Sequence, residues 1–187
     1  ASSGIGYQTA EILAKEGHVV YGAARRTEKM ETLKQFGVKP MYLDVTDEES
    51  IKSAIDTIIG NEGRIDVLIN NAGLALGLDK FQDYDIMDIE KMIDTIMKGL
   101  LYITRQILPG MVANDEGHII NIGSTAGIYA YAGAAVYCAT KSAVKVLSDG
   151  IRIDTIDKKV FKPIMNELGE NYNLKIIKKY KKGEILN

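Results

Sequence analysis

The chain has 187 residues, 46% hydrophobic and 26% charged, a globular composition with room for one sizeable core. Its 23 basic and 25 acidic residues leave a net charge of -2, too balanced for a protein whose main task is neutralising nucleic-acid phosphates or anionic lipid. No apolar run reaches the roughly 18 residues that cross a bilayer and no basic-then-apolar leader opens the sequence, so a cytoplasmic location is expected, with neither nucleic acid nor membrane as partner. The single cysteine, Cys138, excludes an internal disulfide and a multi-cysteine metal site, and His18 and His118 are the only imidazoles.

In chain order, Ala1-Ser2-Ser3-Gly4-Ile5-Gly6 leads into a helix with Ile12 and Leu13 on its apolar face, ending at Gly17. His18 to Ala24 is a short apolar run suited to a buried strand, and a helix is predicted from Thr27 to Gly37. A second strand is expected over Met41 to Val45. Thr46 and Glu49 then stand at capping-box spacing before Ile51, Ala54, Ile55, Ile58 and Ile59, a one-faced helical stripe. Ile65 to Asn70 predicts the third strand. A long helix is expected from about Ile89 toward Leu108, stopping near Pro109. The fourth strand spans His118 to Gly123, with His118 at its exposed start, and a further helix runs from about Ala134 to Thr155. Apolar strands alternating with amphipathic helices predict an α/β fold, a Rossmann-like doubly wound parallel sheet covered on both faces.

Charge divides the chain. Residues 158 to 187 hold eight lysines and three acids; the pattern fits either a basic amphipathic helix or an edge strand, with the lysines read first as a solvated face. The expected organisation is therefore one domain over 1–157 and a basic tail over 158–187.

Parallel α/β sheets bind ligands at the carboxyl ends of their strands. The opening Gly4-x-Gly6 meets a helix N-terminus, where free amides and the dipole favour a pyrophosphate, although such turns start many helices. Where dinucleotide folds test the adenosine ribose, an acid suits the 2′-hydroxyl of NAD and arginine suits the 2′-phosphate of NADP; this chain has Arg25-Arg26. Tyr137 and Lys141 lie four apart in a helical stretch and share a face. A phenol acting near neutrality must fall roughly 3 pK units, about 4 kcal/mol, and an ammonium about 5 Å away at an effective dielectric near 20 supplies roughly 3 kcal/mol. With ten tyrosines and eighteen lysines in 187 residues, about one such pair is expected by chance, so context decides its meaning.

That context is Ser124, thirteen residues earlier, and Asn70-Asn71-Ala72-Gly73 after the third strand. Through DVLINNAG, HIINIGSTAG and YCATK, in this order, residues 1 to 157 resemble the short-chain dehydrogenase/reductase family. The stretch MIDTIMKGLLYITRQILPGM looks most like the branch acting on serine and other 3-hydroxy acids. The resemblance implies that Ser3, Gly4, Ile5 and Gly6 hold the pyrophosphate of NADP (NADPH), that Asp44 and Val45 contact adenine, and that Asn71, Ala72 and Gly73 line the adenosine side. It implies Tyr137 as general acid/base, Lys141 as its partner and ribose ligand, Ser124 as the substrate-orienting donor, and Arg25 with Arg26 as the choice of NADP. A small carbonyl or alcohol substrate and a homodimer or homotetramer are implied with it.

Three departures stand out. The family's first strand and its Thr-Gly precede the position of Ala1, so the sheet is expected to lack its usual first strand. The family's Asn in Asn-x-x-Gly is Ile96, read here as a core residue. The C-terminal strands and substrate loop are not recognisable after Asp157. An inactive relative that keeps dimerisation or weak nucleotide binding is the alternative. Among smaller features, Cys138 reads as a packed thiol, Asp83, Asp85 and Asp88 as helix capping, and Tyr129 and Tyr131 as either lining or flanking the substrate site.

Overall fold

The structure, a computed structural model, describes residues 1–77 and 79–155. The basic tail lies outside the described residues. Helix α1 (Gly4–Lys15) precedes strand β1 (Tyr21–Ala24), a 3-10 helix (Thr27–Phe36) and strand β2 (Lys39–Tyr42). Helix α2 (Glu48–Glu62), strand β3 (Val67–Asn70) and helix α3 (Ile86–Ile93) follow. A π-helical turn (Asp94–Lys98) joins α3 to α4 (Gly99–Asn114), and strand β4 (His118–Asn121) and helix α5 (Ala135–Asp154) complete the described chain. The expected alternation is present.

All strand pairs are parallel: β1 with β2, Gly22 opposite Pro40, and β3 with β4, Ile69 opposite Ile120. They form two separate two-stranded sheets among the described residues. Val20 and Ala24 turn their carbonyls to β2, accepting from the Lys39 and Leu43 amides, so Val19, Tyr21 and Ala23 face the other way. Asp66 and Asn70 likewise turn to β4, which leaves Val67 and Ile69 on the opposite edge. Val19, Tyr21, Val67 and Ile69 all line one cavity of about 1580 Å³.

Both faces of the β3–β4 pair are covered. Ile119 packs with Ile51 of α2 and Ile103, Ile107 and Met111 of α4, whereas Ile120, its neighbour on the strand, packs with Leu13 of α1. A third cluster joins Tyr84, Met92, Ile96, Leu100, Val136 and Val144, fastening the α3–α4 helix to α5.

Several boundaries differ from expectation, each for a local reason. Strand β2 begins at Lys39 because Pro40 turns its missing donor away from β1, a position open to proline on an edge strand. It ends at Tyr42, where the Leu43 amide makes the last bond to β1 and the outward-facing Asp44 amide donates to Ser50 Oγ. Residues 27–36 take the 3-10 form, which stacks positions three apart and buries Met30 and Leu33 together. Asp47, not Thr46, caps α2, accepting from the Glu49 amide at 3.0 Å, while the Thr46 hydroxyl turns back to Asp44. The long helix runs through Pro109 to Asn114. Pro109 and Arg105, whose carbonyl it cannot serve, are both exposed residues, and buried Ile107 and Met111 continue the packed stripe on either side. His118, expected at the surface, is 2% exposed because β4 lies inside the fold from its first residue. Asp85 caps α3 through the Met87 amide at 2.8 Å, as expected of that acidic stretch.

Candidate active site

Helix α1 starts without a side-chain cap, and Gly4 occupies the left-handed region at φ 58°. The amides of its first turn are therefore not taken by a side chain of their own helix. Gly6 is required for a different reason: a Cβ there would stand 2.6 Å from Asn71 Nδ2. The glycine turn and the loop after β3 are thus packed together, and Ser3, Gly4, Ile5, Gly6, Asn71, Ala72 and Gly73 all border the cavity.

At the end of β1, Arg25 is exposed and approaches Asp44 at 3.9 Å, and Arg26 donates to Ser2 Oγ at 3.4 Å. Burial pushes the Asp44 carboxyl upward, but the Thr46 amide and hydroxyl, with Arg25, outweigh it and hold the group below the usual carboxylate range. Val45 packs directly on Gly99, where a Cβ would lie 2.9 Å from Val45 Cβ. Arg25, Arg26, Asp44 and Val45 gather on the cavity rim. Together with the uncapped α1 and the close Gly6–Asn71 approach, they make a cradle with backbone donors at one end and guanidinium groups at the other, which fits a phosphorylated dinucleotide.

Beyond β4, the Ser124 hydroxyl accepts from the Ala126 amide at 3.1 Å and caps a short 3-10 turn, Thr125–Gly127. This contact uses a lone pair and leaves the O–H to donate elsewhere. Lys141 is 6% exposed, and its Nζ donates to the Ile122 carbonyl at 2.8 Å. Burial lowers the pKa of this amine. Its Nζ lies 5.9 Å from the centre of the Tyr137 ring, and Ser124, Tyr137 and Lys141 border the same cavity. Ile96, in the π turn, is 2% exposed and packs in the core as expected. A Cβ on Gly73 would stand 3.6 Å from Lys141 Nζ and 3.8 Å from Ile96 Cγ1, so the lysine amine is enclosed by backbone and apolar carbon. Cys138 is a packed thiol beside Ala126 and Ala134, whereas Tyr129 and Tyr131 are exposed.

Sequence inspection missed the polar layer beneath this site. Asn70 Nδ2 donates to Thr104 Oγ1 and to Asn121 Oδ1, and Asn121 Nδ2 donates to Ser148 Oγ. The Asn70 carbonyl also accepts from the Ile122 amide, next to the Lys141 anchor. Polar residues inside apolar strands were the available signal, because a buried amide needs partners.

A family model described as short chain dehydrogenase matches residues 1–161. The NADP-dependent 3-hydroxy acid dehydrogenase YdfG of Salmonella typhi is 45% identical over 157 residues, covering 82% of this chain and 63% of that protein. An NADP-dependent 3-hydroxy acid dehydrogenase of Schizosaccharomyces pombe is 42% identical over 168 residues, covering 86% and 65%. Among solved structures, the closed form of a serine dehydrogenase complexed with NADP+ superposes with a TM-score of 0.83 at 41% identity, covering 86% of this chain and 66% of that one. The chain thus spans somewhat under two thirds of the length of these curated relatives. Parallel strands, helices on both faces and this likeness in sequence and structure agree: the chain belongs to the short-chain dehydrogenase family.

Proposed function

We propose that this chain carries the nucleotide and proton-transfer site of an NADP-dependent oxidoreductase that interconverts a carbonyl and a secondary alcohol, with 3-hydroxy acids such as serine as the substrate class. The observation that supports it most directly is the Tyr137–Lys141 pair: one ammonium 5.9 Å from the phenol ring, both on a cavity shared with Ser124. Bound NADPH supplies the hydride. Ser124 donates its hydroxyl proton in a hydrogen bond to the substrate oxygen, and Tyr137 transfers its phenolic proton to that oxygen as the alcohol forms. Lys141 holds the resulting phenolate by its charge, with Ile122 fixing the amine. Arg25 and Arg26 take the 2′-phosphate, and the α1 amides take the pyrophosphate.

The same proposal treats residues 1–157 as the catalytic unit and takes the slot between β1 and β3 as the place of the family's first strand. It is supported by the two outward strand edges on one cavity. A second subunit packs on α4 and α5, where Leu101, Tyr102, Val146 and Ile153 are exposed. The rival, an inactive chain retaining weak nucleotide binding or dimerisation, draws on the separated strand pairs and Ile96. Fluorescence titration with NADPH followed by a carbonyl-substrate screen separates the two. Saturable binding with turnover abolished by Tyr137→Phe is expected; saturable binding without Tyr137-dependent turnover establishes the rival.

A further inference from the structure

We propose that Tyr84 is a positioning residue for Tyr137, its hydroxyl tying down the turn from which α5 starts. Helix α5 has no side-chain cap at Ala134 and no acidic residue in its first turn, so its own sequence supplies little to hold its entry. Tyr137 is the third residue of that helix, in the turn where helices fray. Lys141, one turn later, is anchored independently by its bond to the Ile122 carbonyl, and Ser142 Oγ donates to the Gly127 carbonyl at 2.9 Å.

Tyr84 comes from outside the helix, on the segment between β3 and α3. Its hydroxyl donates to the Gly133 carbonyl at 2.6 Å, immediately before Ala134, with the Gly77 carbonyl at 3.3 Å. The ring is 8% exposed and belongs to the cluster that includes Val136, with Tyr137 packed against it. Burial, followed by the nearby Asp79, pushes the Tyr84 phenol above its ordinary range, so it remains a donor throughout the working pH. Gly77 is at φ 59°, and a Cβ on it would stand 3.1 Å from the Tyr84 ring, so the loop after β3 folds closely around this side chain. One phenol therefore joins the loop carrying Asn71 and Gly73 to the loop that launches α5.

This assignment rests on Tyr137 as the proton donor, and the test separates the two. Tyr84→Phe keeps the ring and removes only the tie. Amide exchange over residues 134–138 should quicken about threefold to tenfold, the scale of one lost hydrogen bond, with little change around Lys141 and Ser148. With turnover, kcat should fall by a similar factor at unchanged KM for NADPH. A ring-fluorinated tyrosine at position 84, a stronger donor of nearly the same shape, should slow the same exchange and serves if Tyr84→Phe does not fold. Unchanged exchange at 134–138, or exchange raised uniformly along α5, overturns the assignment. Absence of Tyr137-dependent turnover in the parent chain refutes the catalytic proposal alone, since exchange still decides Tyr84.

Discussion

Gly127 offers a sharp test of how the site is held. A Cβ at this position would lie 2.8 Å from the Lys141 carbonyl oxygen, 2.9 Å from the Lys141 carbonyl carbon and 3.2 Å from the Ser142 nitrogen. All three are backbone atoms of α5, so no side chain can rotate out of the way. Restoring an ordinary contact of 3.4 Å requires the Thr125–Gly127 turn and α5 to separate by about 0.6 Å. Overpacking of this kind costs about 1–3 kcal/mol, and at roughly 2–4 °C per kcal/mol for a domain of this size, Gly127→Ala should lower Tm by about 2–12 °C. The same displacement strains the Lys141–Ile122 and Ser142–Gly127 bonds. Since misplacement by about 1 Å can cost 10²-fold in rate, turnover by an active protein should fall about tenfold or more. Gly150→Ala is the control. Gly150 lies in the same helix with nothing within 4 Å of an added Cβ, so removing a helical glycine should stabilise by roughly 0.5–1 kcal/mol. Circular-dichroism melts of the two variants decide the matter. If Gly127→Ala melts at or above the parent, as Gly150→Ala should, the close approach of this turn to α5 is refuted.

Three further outcomes are expected. Replacing Arg25 and Arg26 together by Ala should weaken NADPH at least about tenfold in fluorescence titration while leaving NADH nearly unchanged, the scale of a lost charge-assisted bond to phosphate; equal losses for both nucleotides would count against the rim assignment. Asp44 is held below its ordinary pKa of 3.8, so its stabilising contribution is present above that value and is lost as pH falls through the lower folded value. Asp44→Asn should therefore flatten the acid limb of a stability-versus-pH curve below about pH 4, and an unaltered limb would contradict this. Burial lowers the Lys141 pKa, so the charged amine opposes folding and that penalty fades as pH rises toward its unfolded value of 10.5. Lys141→Met should raise Tm at neutral pH while abolishing turnover; a lower Tm would mean that the Ile122 bond outweighs the desolvation.

Much of this architecture can be read along the chain because its signals are local. The apolar stripe Ile51, Ala54 and Ile55 predicts α2 without knowledge of what α2 meets, and Tyr137 with Lys141 share a face by helical spacing alone. Errors arose where a distant partner overruled local preference. Pro109 suggested a stop, but packing of Ile107 and Met111 on Ile119 carries the helix onward. His118 was expected at an exposed strand start but opens a buried strand, and β2 begins before Met41 because Pro40 faces away from β1.

The amino-acid order alone determined the alternation of strand and helix, the spacing of the serine, tyrosine and lysine, and the family to which they point, since periodicity and motif are properties of neighbouring residues. Only the tertiary structure decided that Gly6 meets Asn71, that Gly127 bears on the backbone of Lys141, and that Tyr84 reaches Gly133. Such contacts join residues far apart in the chain, where steric fit and the need of each buried polar group for a partner select one arrangement that no local pattern encodes.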